Sequence, residues 1–223
     1  MTIALKLQPG VEHTRLSDAV YETLFDAILS GRLVAGAIVS EVSLAKQMEV
    51  SRTPVHDALR QLAKDGLVEQ QAGRRAVIAR FSRDDVADIF EMRKILEVEA
   101  ARRSAARIDR ATLAALRALA DDLKANRGKA DWLAHWSAFD ENFHDAIAKA
   151  SGSQRLYQDI VRYRILHRGF NKLNANIDNL QRALDEHIRI LDALEKRDAD
   201  SAAKGMLEHI QEWQAYFVNH FPR

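Results

Sequence analysis

The chain has no cysteine among its 223 residues, which excludes disulfides and thiolate metal sites. That absence fits a reducing compartment, and the expected location is the cytoplasm. Proline and glycine are scarce, at 3 and 9 residues, which favours long helices over a turn-rich β fold. Neither sign of charge dominates: 33 Lys and Arg stand against 32 Asp and Glu, for a net charge of +1. The whole chain is therefore no polycation, and any contact with nucleic acid has to come from a local patch. No apolar run approaches the roughly 18 residues of a membrane span. The opening MTIALKLQPG lacks the basic start and long apolar core of a signal peptide, so no membrane partner is expected. What is present, 47% apolar and 29% charged residues, is an ordinary globular composition.

The periodicity divides the chain in two. Residues 1–13 read as a loose arm, followed by a helix from Leu16 to Ser30 with Val20, Leu24, Phe25 and Ile28 on one face. Gly31 ends it. Leu33 to Val39 reads as an extended link, and Ser40 as the cap of a short second helix with Leu44 and Met48 inward. Ser51 is expected to cap a third helix over 52–64, with Pro54 in its first turn. Leu67–Gln70 and Ala76–Ala79 then read as two strands about a turn at Gly73-Arg74. Beyond Arg80-Phe81-Ser82 nearly everything is amphipathic helix, expected over 83–104, 109–125, 130–150, 154–170, 174–196 and 199–219. The fold class is thus mainly α, with a domain at 1–81 carrying a small β-hairpin wing and an all-α helical bundle at 82–223.

Helix, helix, tight turn, helix and hairpin is the order of a winged helix-turn-helix, whose second helix enters the DNA major groove with its N-terminal residues on base edges. Here that tip is Ser51-Arg52-Thr53-Pro54-Val55-His56. Arg52 can pair with guanine or phosphate, and Ser51 and Thr53 can donate to phosphate. Residues 51–80 hold six Lys and Arg (52, 60, 64, 74, 75, 80) against three Asp and Glu (57, 65, 69). The positive excess is local to the proposed contact surface. The other reading of such a cluster is a solvated polar face of some small helical domain.

The stretch Gly31-Arg32-Leu33, Gly36, Ser40-Glu41, Leu44-Ala45, Val50 to Val55, Ala58-Leu59, Leu62 and Gly66-Leu67-Val68 resembles the GntR family of bacterial regulators. The resemblance covers about residues 16–80 and implies a winged helix-turn-helix that binds palindromic operators as a homodimer. The DNA-contacting residues it implies are Arg32, Ser51, Arg52, Thr53, His56 and Arg60, with Gly73, Arg74 and Arg75 in the wing. Two positions depart from the pattern: His56 stands where the family often has Arg, and Arg75 where it usually has a wing glycine.

In the second half, three helices each aim polar groups inward. Asp140 and His144 are i, i+4 on one face, which Trp136 and Ile147 extend. His187 lies among Leu184, Ile188, Leu191 and Leu194; His209 lies among Met206, Ile210, Trp213 and Phe217. Burying such groups unpaired costs on the order of a few kcal/mol each, and one divalent metal would satisfy all of them. Three imidazoles and a carboxylate suit Zn, Ni, Mn or Fe better than Ca. Each His taken alone is equally well read as a hydrogen-bonded core histidine, with Asp140 merely accepting from His144. Trp132, Trp136 and Trp213 read as core.

Arg93-Lys94-Ile95-Leu96-Glu97, Asp140-x-x-Phe143-His144, Glu186-His187-Ile188 and Met206-x-x-His209 resemble the helical FCD ligand domain of the FadR subfamily, over about 83–218. Ser153 departs from it, standing where relatives often carry Asn. The resemblance implies Asp140, His144, His187 and His209 as metal ligands. It also implies Arg93 as anchor of an effector carboxylate, an arginine otherwise explained by an i, i+4 ion pair with Glu97. Tyr163 and His167 are further expected pocket residues, core packing being the alternative.

The expected function is a transcription regulator, a repressor, whose operator binding is controlled by a small organic acid beside a divalent metal. No enzyme activity is expected. The alternatives are a structural helical bundle with a stabilising metal, a regulator for which the metal is itself the signal, and a metal-dependent hydrolase or lyase. The hydrolase or lyase lacks a general base in an H-E-x-x-H arrangement and gives the N-terminal half no role.

Overall fold

The computed structural model describes residues 13–71, 75–80, 82–174 and 177–220, with the side chains of 13–15, 29, 70, 71, 75, 166–174 and 220 outside that description. The chain divides into two compact units, Met1–Ser82 with Ile165–Leu173, and Arg83–Arg164 with Asn174–Arg223.

In the first unit, α1 (His13–Leu29) buries Val20, Leu24 and Phe25 on one helical face and packs on α3 (Arg52–Lys64). From α3 that core receives Val55, Ala58, Leu59 and Leu62, a spacing of three and four residues that keeps them on one stripe. Between them, α2 (Glu41–Met48) is capped as expected, Ser40 accepting from the Ser43 N–H at 3.1 Å. It ends at Glu49 in the left-handed conformation, φ 57°, a tight reversal that delivers the chain to α3. Ser51 sits at the N-cap position of α3, but its side chain makes no cap hydrogen bond, contrary to expectation. Pro54, third in the helix, removes one of the N–H groups that a cap would satisfy.

The expected hairpin is present as β2 (Val68–Gln71) and β3 (Arg75–Ile78). The extended link, however, ends in a third strand, β1 (Ile38–Ser40), giving an antiparallel sheet of order β1-β3-β2 with Ile38 opposite Val77 and Val68 opposite Ile78. Three residues are too few to show a period of two, so only the pairing reveals the strand. The approach to β1 requires Gly36. Its φ is +80°, its N–H bonds Ile78 O at 2.8 Å, and the Arg80 guanidinium occupies the place a Cβ would take.

The second unit holds α4 (Arg83–Arg107), α5 (Arg110–Ala125), α6 (Trp132–Ala150), the first half of α7 (Gln154–Asn174), α8 (Ile177–Glu195) and α9 (Ala199–His220). Helix α4 packs most extensively on α9 and also meets α6 and α8. It runs three residues past its expected end, because Ser104 and Ala105 continue the buried face. Arg197, at the α8–α9 turn, donates to the carbonyls of Ala105 and Ile108 near that end. The core is Phe90, Phe139, Phe143, Leu184, Leu191, Met206, Ile210 and Phe217 together with the tryptophans. Trp132 and Trp136 are core residues as expected, their indole N–H groups satisfied by Leu123 O and Leu180 O at 2.8 and 3.0 Å. Helices α8 and α9 come together at Gly205, where an added Cβ would lie 3.0 Å from Ile190 Cγ1.

Candidate metal centre and nucleic-acid interface

Five helices of the second unit deliver charged or metal-binding groups to one buried cluster. Helix α6 contributes Asp140 and His144, α8 His187, and α9 His209, all buried. Nε2 of His187 lies 3.2 Å from Nε2 of His209. Oδ1 of Asp140 lies 3.6 Å from His187 Nε2 and 3.7 Å from His144 Nε2, too far to be a hydrogen bond to either. One ligand atom from each histidine falls within 4.8 Å of the other two. The residues singled out on three separate apolar stripes are thus brought together.

Carboxylates behind the rings orient two of the three. Nδ1 of His144 donates to Glu97 Oε2 at 2.5 Å, and Nδ1 of His209 to Glu186 Oε2 at 2.7 Å. An ionised carboxylate only accepts, so both rings carry their proton on Nδ1 and present a lone pair at Nε2. His144 Nε2 is buried with no hydrogen-bond partner, as is His187 Nδ1. Electrostatics keep the rings neutral. Burial, then the neighbouring His209, push His187 down to about 3. Burial also brings His209 to about 3 and His144 well below its ordinary value, with Arg93 and Arg164 respectively adding to the effect. Burial alone would raise Asp140, but the Arg164 guanidinium and then the imidazoles outweigh it and hold the carboxylate ionised. Neutral imidazoles and an ionised carboxylate are the forms that bind metal.

The cluster fits a divalent ion. Bonds of about 2.0–2.1 Å from nitrogen or oxygen place tetrahedral donors roughly 3.3–3.4 Å apart, and the 3.2, 3.6 and 3.7 Å edges lie close to this. His209 Nε2 accepts from His187 Nε2 at 3.2 Å and His144 Nε2 has no partner, so loss of the His187 Nε2 proton would leave three imidazole lone pairs for one cation. The buried His144, His187 and His209 cluster could therefore hold a metal.

Arg93 points inward from α4 and forms the expected i, i+4 ion pair with Glu97. Its Nε donates to Glu97 Oε1 at 2.7 Å, while Nη1 and Nη2 are buried without a partner. Glu97 thereby serves Arg93 through one oxygen and His144 through the other. The roles of Glu186 and Arg164, and one of the two roles of Glu97, went unread in the sequence. Glu186 and the His144-facing role of Glu97 are contacts across helices, which no spacing signals. Arg164 on α7 bonds Asp140 Oδ2 at 2.7 Å and approaches Glu97 Oε2 at 3.9 Å. Its signal was available: it lies four residues after buried Ile160 and so shares that inward face. Tyr163, expected in the pocket, is half-buried beside Arg164 on α7, and the side chain of His167 lies outside the described residues.

In the first unit, Ser51, Arg52, Thr53, His56 and Arg60 are exposed along α3, and Arg32 is exposed in the turn after α1, its Nε on Ser30 Oγ at 3.0 Å. Pro54, Val55, Ala58 and Leu59 face the core, so the helix presents one polar ridge outward. Glu41, at the start of α2, joins two residues of that ridge: its Oε1 accepts from His56 Nδ1 at 2.7 Å and its Oε2 meets Arg52 Nη2 at 3.4 Å. The His56 bond, foremost, lowers the Glu41 pKa. Gly73 and Arg74 lie outside the described residues, as does the Arg75 side chain.

A reading helix delivered by a tight turn, a three-stranded wing and a helical domain with a buried polar cluster define a winged helix-turn-helix regulator. The chain belongs to the GntR family: the model of bacterial regulatory proteins of the gntR family matches residues 16–78, and that of the FCD domain residues 88–212. It is 30% identical over 208 residues to the HTH-type transcriptional regulator BphR of Paraburkholderia xenovorans, covering 88% of this chain and 82% of that protein. It is 26% identical over 219 residues to the HTH-type transcriptional repressor RspR of Escherichia coli, covering 95% and 92%. Among solved structures, Escherichia coli McbR/YncC shares the fold, with a TM-score of 0.73, 21% identity, and coverage of 96% of this chain and 100% of that one. The chain is thus a DNA-binding transcription regulator, not an enzyme, and among the described residues no helix is long and apolar enough to cross a membrane.

Proposed function

We propose that residues 1–81 bind a palindromic operator as part of a homodimer, and that residues 82–223 control that binding through a carboxylate effector held beside a divalent metal. The observation that carries this reading is the pairing of two incomplete sites: converging imidazole nitrogens, and the Arg93 guanidinium with two buried nitrogens unsatisfied. Asp140, His144, His187 and His209 would hold the ion, Zn, Ni, Mn or Fe by their donor types. The ion would supply a fixed positive charge that accepts an effector oxygen. Arg93 presents a planar pair of N–H donors matched to a carboxylate, and Glu97 orients both that guanidinium and His144. A group that ties α4 to α6, α8 and α9 binds one arrangement of the helices better than another, and only such differential affinity shifts a regulator's equilibrium.

On the DNA side, Arg52, His56, Thr53, Ser51 and Arg60 form the contact ridge, with Arg32 and wing residues Gly73, Arg74 and Arg75 on the flanking backbone. The output proposed is repression. The test is selection of bound duplexes from fragmented genomic DNA by the metal-loaded protein, followed by release with small organic acids. A short palindrome that is released by one acid supports the reading. A palindrome that no acid or metal change releases removes the sensing half of it.

A further inference from the structure

Arg93 is not the only unsatisfied cation at the cluster. Arg164 also has a buried nitrogen, Nη1, without a hydrogen-bond partner, while its Nη2 is held by Asp140 at 2.7 Å. The two arginines come from different helices and stand on opposite oxygens of the same carboxylate. Arg93 Nε is 2.7 Å from Glu97 Oε1, and Arg164 Nη1 is 3.9 Å from Glu97 Oε2. Both guanidiniums act on the His209 ring, each disfavouring its charged form, so both border the three-histidine cluster. Glu97 and Asp140 are already engaged: Glu97 by Arg93 and His144, Asp140 by Arg164. Among the described residues, three guanidinium nitrogens are thus left without a hydrogen-bond acceptor.

Buried N–H groups of a cation left unpaired are costly, so these nitrogens call for an acceptor that the side chains around them do not supply. One carboxylate, with its two oxygens, matches the paired Nη1 and Nη2 of Arg93. Nη1 of Arg164 belongs to a second fork whose other nitrogen is taken by Asp140, and it calls for a second acceptor. We propose that Arg164 is a specificity-determining residue and that the effector is a short dicarboxylate, one carboxylate on Arg93 and the other on Arg164. Because the two guanidiniums flank a single glutamate carboxylate, one small molecule can offer a group to each. This inference rests on the carboxylate-effector reading above and adds the second anionic group to it.

The test uses the full-length, metal-loaded protein and matched acids that differ in one carboxylate: malate against 2-hydroxybutyrate, succinate against butyrate, glutarate against pentanoate. Binding is measured by calorimetry, with metal content determined for each sample and affinities expressed per metal-loaded chain. The wild type is expected to bind at least one diacid tenfold or more tightly than its monoacid partner. Arg164→Gln should bring the diacid-to-monoacid affinity ratio, taken per metal-loaded chain, to within about twofold. Arg164→Lys keeps the charge without the fork and should retain part of the preference, which also guards against a glutamine variant that folds poorly. Monoacids that bind as tightly as diacids, in a manner lost in Arg93→Gln, would overturn the dicarboxylate proposal and leave the effector reading standing. A preference that survives Arg164→Gln would remove Arg164 from it. Binding of none of the six acids would overturn both.

Discussion

Glu97 accepts a 2.5 Å hydrogen bond from His144 Nδ1 through one oxygen and a 2.7 Å bond from Arg93 Nε through the other. A single buried carboxylate thus sets the tautomer of a candidate metal ligand and the aim of a candidate effector anchor. Removing its charge should disturb both. Glu97→Gln is expected to weaken metal binding by about 10–100-fold, the usual range for outer partners of metal-bound histidine. Competition against a chelator measures it, and an unchanged affinity would mean that Glu97 serves only Arg93.

His187 has no carboxylate behind it, and its Nδ1 is buried without a partner. His187→Ala should abolish metal retention and with it the thermal stabilisation that metal gives, about 4 kcal/mol at a thousandfold excess over Kd. Elemental analysis and thermal denaturation with and without added metal check this together. Full occupancy in the variant would take His187 out of the ligand set.

Acid should destabilise the metal-free protein. In the folded state His187 and His209 are held near 3, whereas unfolded imidazoles take up protons near 6.5. Between those values the unfolded chain binds more protons, so stability falls as pH falls, by at most about 1.4 kcal/mol per pH unit for each ring. The depressed Asp140 acts with the same sign: its contribution is present above the ordinary carboxylate pKa and lost as pH falls below it. Denaturation midpoints from pH 7.5 to 4.5 should therefore drop, and His187→Leu should flatten the slope. A flat profile in the wild type would contradict the buried neutral rings.

Arg93→Ala should leave operator binding intact in the absence of effector and abolish release by it. Electrophoretic mobility shift with the acid identified by calorimetry reads both halves. A normal response would return Arg93 to a purely structural partner of Glu97.

Arg52→Ala should weaken binding to the selected operator by about 1–3 kcal/mol if Arg52 reads a base, with less loss on unrelated DNA. Equal loss on both would assign Arg52 to phosphate alone. Metal content should not change in either case, because Arg52 lies in the other compact unit.

Much of this was legible beforehand, for identifiable reasons. Helices of 13 to 22 residues carry enough turns for their apolar stripes to stand out, so α3, α8 and α9 could be placed from spacing. The inward aim of His187 and His209 followed from those stripes alone. Illegible were the features that depend on which helices meet. Strand β1 exists by pairing with β3, Glu186 matters because α8 lies against α9, and Glu41 because α2 lies against α3. Arg164 is the intermediate case: its register was readable, but an arginine among the mixed residues of α7 gave no reason to prefer it over neighbouring Tyr163.

Where α8 and α9 meet, the absent side chain of Gly205 lets Ile190 approach closely, and each of these residues lies within one turn of a histidine, His209 and His187. The spacing between two donor nitrogens is thereby governed by a residue that binds nothing. Gly205→Ala would push on Ile190 and stretch the 3.2 Å separation of the rings, altering the size of ion the cage accepts without touching a ligand. Ion preference in such a domain can drift by changes in helix packing, so two chains with identical donor sets need not be filled by the same metal.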